Sequence, residues 1–103
     1  MFATIRRYDG VNQNRSAELT RKVNETLVPK LSKLPGFAGY YLIEAGDGVF
    51  SSLGLFESVE QGKESSNVAA SWIRDEKLES WLPNAPTITS GEVVAHSNGL
   101  THA

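Results

Sequence analysis

The fold of this chain is decided in the stretch Leu34-Pro35-Gly36-Phe37-Ala38-Gly39-Tyr40-Tyr41. Proline keeps the residue before it out of the helical conformation, and it has no N–H group for a helical hydrogen bond. The glycine after it can adopt a positive φ, which commonly ends a helix. Aromatic and small residues that suit a strand follow at once. The stretch therefore predicts that a helix ends here and that a strand of a sheet begins.

The helix before this junction is predicted from an apolar stripe. The first four residues of the stripe are spaced four apart, and the fifth follows three residues later: Leu19, Val23, Leu27, Leu31 and Leu34. Asn14 and Ser16 are alternative N-cap residues. Pro29 lies inside the stripe, so the helix either kinks or ends there with a short last turn. Because the stripe continues beyond Pro29, we favour the kink.

Two strands joined by a hairpin are predicted after the junction, at residues 37–45 and 49–56, with the turn Gly46-Asp47-Gly48 between them. The first strand carries Phe37, Tyr41 and Ile43 on one face and Tyr40 and Leu42 on the other. A sheet with one face in water would alternate with polar residues. We therefore expect both faces to be covered, one by helices and the other by a second copy of the sheet.

The remaining elements complete a ferredoxin-like βαββαβ order, which is an α+β fold with a four-stranded antiparallel sheet. They are predicted at residues 2–8 (strand one), 59–74 (helix two) and 87–96 (strand four, with Gly91 as a bulge). Ser58 and Gln61 form a capping box at the start of helix two. A further turn at 76–82 presents Leu78. We expect a single domain over 1–96 and a polar tail over 97–103.

Composition excludes several classes of function. The 103 residues carry a net charge of -2 without a basic block, which argues against nucleic acid as a partner. Cysteine is absent, so disulfides, zinc–thiolate sites and thiol nucleophiles are excluded, and no His or carboxylate set has metal-ligand spacing. The start of the chain has no signal-peptide core and no apolar run could span a membrane. We predict a cytoplasmic protein without a metal or cofactor.

With these elements in place, the chain resembles the dimeric α+β barrel superfamily, in particular the antibiotic-biosynthesis-monooxygenase-like domains. Three segments carry the resemblance: Leu34-Pro35-Gly36-Phe37-Ala38-Gly39-Tyr40, Phe56-Glu57-Ser58-Val59-Glu60-Gln61 and Gly91-Glu92-Val93. The resemblance implies a homodimer whose two sheets pack into a barrel. It also implies a small-ligand site between the sheet and the helices of each subunit.

Two activities within this group set expectations for the site. The haem degraders use an Asn on strand one and a Trp and a His on helix two, and none of the three matches this sequence. The quinone-forming monooxygenases use Asn, Trp, Tyr and Arg around a polyphenol. Those residue types are present, without a match by position, in Asn67, Trp72, Tyr40 or Tyr41, and Arg6 or Arg7.

The adjacent residues Arg6 and Arg7 must face opposite sides of strand one. The inward one needs either a carboxylate, with Glu44 and Glu92 as candidates, or the anion of a ligand. Trp72 is a core residue or a stacking wall, and Asn67 lies about 140° from it on a helix, so the two do not point at one small ligand.

The candidate ligand-binding residues are Arg6, Arg7, Tyr40, Tyr41, Ser66, Asn67 and Trp72. Small residues on helix two, Ser66 among them, favour a cavity beside the sheet. The first functional hypothesis is a homodimeric barrel that binds an aromatic or polyketide-like molecule and oxidises it without a cofactor. The alternative is a non-enzymatic ligand-binding or stress-associated barrel whose pocket its own side chains fill.

Overall fold

The structure is a computed structural model that describes residues 1–97. Its strands are β1 (Phe2–Tyr8), β2 (Phe37–Gly46), β3 (Val49–Phe56) and β4 (Thr87–Glu92). The first helical run consists of a 3₁₀ turn (Gln13–Arg15), α1 (Ser16–Lys22), a π-helical segment (Val23–Leu27) and α2 (Val28–Ser32). The second helix is α3 (Val59–Asp75). The predicted βαββαβ order is confirmed, and all but one residue of the predicted tail lie outside the described residues.

The four strands form one antiparallel sheet in the order β2-β3-β1-β4. Both helical runs lie on one face, and the buried core forms between them and the sheet. Leu78, in the predicted turn after α3, is completely buried there. Strand four is shorter than predicted, and its register with β1 is regular, so the predicted bulge at Gly91 was wrong.

The π-helical segment in the first helical run explains why the apolar stripe has a spacing of four residues. In a regular α-helix each step of four residues drifts by about 40° around the axis. The π-helical segment is wider: the N–H of Val28 donates to the carbonyl of Val23, five residues back. The wider turn offsets part of this rotation around the axis, which keeps the stripe on one side of the run. All four residues are buried: Leu19, Val23, Leu27 and Leu31.

The run continues past Pro29, which lies in the first turn of α2, where proline is well tolerated. The predicted distortion therefore takes the form of a widened turn just before the proline. Both predicted N-caps were wrong, because the side chain of Asn12 accepts the hydrogen bond from the N–H of Asn14.

The junction ends the helical run with Gly36 at a φ of 75°. The carbonyl of Gly36 accepts a hydrogen bond of 2.9 Å from the N–H of Glu57, just before α3. A Cβ at position 36 would lie only 1.8 Å from Oε1 of Gln61, which belongs to the capping box of α3. The predicted capping box is confirmed, and the junction packs directly on it.

A β-bulge corrects the predicted faces of β2. Phe37 pairs with Phe56, but Gly39 pairs with Leu55, so Ala38 is an extra residue. The extra residue shifts the alternation, and Phe37 therefore shares the helix-covered face with Tyr40 and Leu42. The prediction that grouped Phe37 with Tyr41 and Ile43 was wrong.

An ion pair joins the first helical run to the end of α3. Nζ of Lys22 lies 2.9 Å from Oε1 of Glu76, and this hydrogen bond lowers the pKa of the Glu76 carboxyl below its ordinary value of 4.5. Since a lowered folded-state pKa stabilises the ionised form, the pair stabilises the fold above the ordinary pKa. That stability is lost as the pH falls through the pKa of the folded state.

We expect Lys22→Met to lower the urea midpoint relative to the natural chain at pH 7. The difference should be smaller at pH 3, because the ionised fraction of Glu76 falls as the pH falls. Equilibrium urea unfolding at the two pH values measures this, with Lys63→Met on the exposed side of α3 as the control. A Lys22→Met deficit that is the same at both pH values would show that the aliphatic stem, not the charge, stabilises the contact.

Candidate functional site

A cavity of about 40 Å³ lies between the sheet and the helices. Its floor is the helix-facing row of β3, which reads Phe50, Ser52, Gly54 and Phe56. Two small residues between two phenylalanines leave a depression in the sheet. Ser65 and Ala69 of α3 lie above it, together with buried leucines of the first helical run. Small residues on both layers therefore make the space, as the sequence of helix two predicted.

Arg6 projects from β1 into this cavity and is 8% exposed. Its guanidinium donates a hydrogen bond to Oγ of Ser66, which in turn donates to the carbonyl of Gly62. Neither predicted carboxylate partner pairs with it: Glu92 accepts from the N-terminal amine of Met1 at 2.9 Å, and Glu44 forms no ion pair within the described residues. Arg6 is the one charged side chain among the described residues that line the cavity.

The rest of the guanidinium faces space that solvent reaches. Within residues 1–97, no fully buried side-chain nitrogen or oxygen lacks a hydrogen-bond partner. Arg6 carries five N–H donors, and one bond to Ser66 does not use them all. A buried cation with spare donors and no carboxylate partner is suited to the anionic group of a ligand.

Arg7 lies on the opposite face of β1, as the strand alternation requires. It is exposed and pairs with Asp9 at 3.2 Å. The predicted choice between the two arginines is thereby resolved: Arg6 lines the cavity and Arg7 does not.

Two tyrosine side chains lie beside Arg6. Burial raises the pKa of the Tyr8 phenol above 10.0, while the charge of Arg6 partly opposes this. Burial likewise raises the pKa of Tyr40, against the effects of the nearby Ser52 hydroxyl and Arg6. Both phenols are therefore neutral at pH 7 and can donate a hydrogen bond into the cavity. Tyr41 points to the other face of the sheet and is 52% exposed.

Trp72 forms a wall of the cavity and is 3% exposed. Its Nε1–H donates to Oγ1 of Thr26 at 2.6 Å, and Thr26 donates to the carbonyl of Lys22 at 2.6 Å. These bonds attach the indole to the π-helical segment. Asn67 is exposed on α3 and lies in a surface groove with Lys30 and Lys33, so it is not part of the cavity.

A wider cleft of about 310 Å³ opens next to the cavity, between the first helical run and β2. The two spaces share four lining residues: Val23, Tyr40, Leu42 and Phe50. The cleft adds Thr20, Asn24, Val28 and Glu44. The π-helical segment borders both spaces, and π-helical turns are often found at functional sites. Cavity and cleft together have the size of a small-molecule site.

Sequence reasoning left three of these residues out of the candidate site. Tyr8 could have been included from the sequence, because strand alternation puts Thr4, Arg6 and Tyr8 on one face of β1. Nothing in the sequence near Ser52 marks it as a site residue. It matters because its small side chain leaves space between β3 and α3. The contact of Thr26 with Trp72 depends on the π-helical turn. The only hint of that turn in the sequence was the strict four-residue spacing of the apolar stripe.

Other classes of site find no support within residues 1–97. No group of three His, Asp or Glu side chains in this range could hold a metal ion, and His96 is exposed. In the same range, no helix has the length and apolar character needed to cross a membrane.

No known protein family matches the sequence, and no curated protein is significantly similar to it. Solved structures do resemble the fold. A protein of unknown function from Nitrosomonas europaea has a TM-score of 0.74 at 17% identity, over 93% of this chain and 91% of that one. A candidate antibiotic biosynthesis monooxygenase from Caulobacter crescentus has a TM-score of 0.71 at 21% identity, over 91% and 90%.

A third structure, described as a dimeric ferredoxin-like protein from an uncultured marine organism, has a TM-score of 0.69 at 16% identity over 93% and 90% of the two chains. At these identities the likeness concerns the fold. This chain has the ferredoxin-like fold of the antibiotic-biosynthesis-monooxygenase-like proteins, as its sequence resemblance predicted.

Proposed function

We propose that this chain forms a homodimeric barrel that binds a small aromatic or polyketide-like molecule through an acidic oxygen. The single observation that carries the proposal is the buried Arg6 guanidinium, which faces an apolar cavity and pairs with no carboxylate of residues 1–97. Within residues 1–97, Arg6 has a hydrogen bond to Ser66 but no carboxylate to neutralise its charge. A phenolate or carboxylate oxygen of a ligand supplies the missing partner.

The neighbours of Arg6 support the same ligand class. The neutral phenols of Tyr8 and Tyr40 are hydrogen-bond donors for that oxygen. The other walls are mostly aliphatic or aromatic, which suits the faces of a planar ring. Trp72 completes the apolar wall of the inner cavity.

Oxidation without a cofactor is the chemistry this site would serve. In such a reaction a ring CH₂ group of the substrate loses a proton, and the carbanion reduces O₂. The CH₂ becomes a C=O, and the second oxygen atom leaves as water. Arg6 would hold the enolate oxygen that carries the negative charge, while the apolar walls keep bulk water away from the intermediate.

The dimer is proposed from the sheet face that carries no helices, which we call the open face. Its apolar side chains are Ile5, Tyr41, Ile43, Leu53 and Leu55. Ile5, Tyr41 and Ile43 are 42%, 52% and 53% exposed in the isolated chain. A continuous exposed apolar surface of this kind marks an interface. The similar protein from the marine organism is described as dimeric, which supports a second copy as the cover.

A second function is favoured by the size of the cavity. A volume of about 40 Å³ is small for an aromatic ring, although it exceeds what one water molecule needs. A barrel filled by its own side chains and without a reaction is the alternative that this volume supports. The two proposals differ in whether a ring enters from the adjacent cleft.

We expect 4-ethylcatechol to bind the natural chain, and Arg6→Gln to weaken this binding by about tenfold or more, since a hydrogen bond to a charged group contributes roughly 1.5–3 kcal/mol. Isothermal titration calorimetry at pH 8 measures the affinity. Arg7→Gln is the matched control, because it removes the neighbouring charge on the other face and should leave the affinity unchanged.

A second variant keeps the charge and removes the space. A Cβ at Gly54 would have its nearest other heavy atom, on Phe56, at 3.7 Å, so Gly54→Ala should fold. It should weaken binding without loss of stability. If the natural chain takes up no dihydroxyaromatic compound at millimolar concentration, the side-chain-filled barrel is the correct description. With a substrate that carries a ring CH₂ flanked by carbonyl or aryl groups, consumption of one O₂ per CH₂ converted to C=O, lost in Arg6→Gln, would support the oxidation.

A further inference from the structure

We infer that the ligand has two polar ends, with an acidic oxygen at Arg6 and a cationic, hydrogen-bond-donating group that faces Glu44 at the mouth of the cleft. The inference rests on the proposed function and adds the chemistry of the ligand's second end. Three features carry it: the relative volumes of the two spaces, the charge at each end and the distance between them.

The volumes place the ring in the cleft. The inner cavity of about 40 Å³ has room for a few atoms, whereas the cleft of about 310 Å³ has room for a ring. The apolar residues shared by the two spaces, Val23, Leu42 and Phe50, lie where the cavity and the cleft adjoin. A ligand that fits both spaces sends a hydroxyl or carboxyl group inward and keeps its ring in the cleft.

The charges at the two ends are opposite. Arg6 is the charged group that lines the inner cavity, and Glu44 is the charged group that lines the cleft, among the described residues. Glu44 forms no ion pair within residues 1–97. The carboxylate is flanked by the polar side chains of Thr20 and Asn24. This rim therefore favours an ammonium or another group rich in N–H or O–H donors.

The sheet sets the distance between the two ends. Glu44 pairs with Phe50 and Phe50 pairs with Tyr8, so Glu44 lies two strands away from β1, which carries Arg6. Arg6 lies two residues before Tyr8 on β1, so two strand spacings across the sheet and two residues along it separate the Cα atoms of Glu44 and Arg6 by about 12 Å. An aromatic ring with a hydroxyl group and a short aminoalkyl chain spans the part of this distance that the two side chains do not cover. Phenolic and catecholic amines, and aromatic acids with an amino side chain, form the predicted class.

The test compares dopamine with 4-ethylcatechol, which share a catechol ring and differ in the terminal ammonium. We expect dopamine to bind the natural chain about fivefold more tightly at low ionic strength, the size expected of an exposed ion pair. Glu44→Gln should abolish this preference, so that the variant binds dopamine and 4-ethylcatechol with equal affinity. Glu79→Gln, which removes an exposed carboxylate outside the cleft, should retain the preference. In 0.5 M NaCl the preference should shrink through screening.

The outcomes separate this inference from the proposed function. If 4-ethylcatechol binds in an Arg6-dependent manner but dopamine binds no better, or if the preference survives in Glu44→Gln, the second end is wrong and the proposed function stands. If neither compound binds the natural chain, both are wrong. A preference that depends on Glu44 and on ionic strength supports the inference.

Discussion

Gly36→Ala is expected to destabilise the folded chain by about 1.5–4 kcal/mol. An alanine at a φ of 75° pays roughly 1–2 kcal/mol for the left-handed conformation. Its Cβ would also lie 1.8 Å from Oε1 of Gln61, so that side chain must move away. Oε1 of Gln61 accepts the N–H of Ser58 at 3.2 Å in the capping box, and loss of a helix cap costs about 0.5–2 kcal/mol more.

Gly46→Ala provides the matched control for this prediction. Gly46 has a φ of 88° in the β2–β3 hairpin, and a Cβ there would have no neighbour within 4 Å. It should therefore cost only the conformational part, about 1–2 kcal/mol. Equilibrium urea unfolding measures both variants. Equal losses for the two glycines would mean that the junction does not depend on its contact with the capping box.

Leu53→Glu is expected to convert the proposed dimer into a monomer. Leu53 lies at the centre of the open face, where it pairs with Tyr41 on one side and with Ile5 on the other. A carboxylate at this position would be buried against the second copy without a partner, which costs about 3–5 kcal/mol in known cases. The dimer dissociation constant should rise at least a hundredfold, as measured by sedimentation equilibrium.

The same charge placed elsewhere serves as the control for this variant. Asn67→Glu adds a carboxylate on the exposed side of α3 and should leave the dimer intact. Because the open face is in contact with solvent in the isolated chain, the Leu53→Glu monomer should keep the circular dichroism spectrum of the fold. A natural chain that sediments as a monomer at micromolar concentration would overturn the barrel.

Features of the fold that depend on residues close in sequence were predicted correctly, and features that depend on strand pairing were not. The junction, the hairpin turn and the capping box each depend on residues that are close in sequence, and each was predicted where it occurs. The bulge at Ala38 was missed because it depends on how β2 is paired with β3, which no residue near Ala38 reveals. Strand four was predicted too long, since its Thr-rich and Val-rich sequence continues beyond the last residue that pairs with β1.

The candidate site was predicted less completely. Strand alternation showed that one of Arg6 and Arg7 must face inward, but the choice required knowing which face the helices cover. For Tyr40 and Tyr41, too, the sequence did not show which one faces the helices. The bulge at Ala38 adds to this uncertainty because it shifts the alternation of β2. The geometry of a helix correctly separated Asn67 from Trp72. Ser66 was selected for its small size and proves to hold the Arg6 guanidinium, a role that depends on the close packing of α3 on β1.

A crystal structure of the chain with 4-ethylcatechol tests the central claim most directly. The account predicts one ligand per subunit, with a catechol oxygen within hydrogen-bond distance of the Arg6 guanidinium and the ring between Val23 and Phe50 in the cleft. Ligand density on the open face or in the surface groove of Lys30, Lys33 and Asn67, with the Arg6 cavity unchanged, would contradict it.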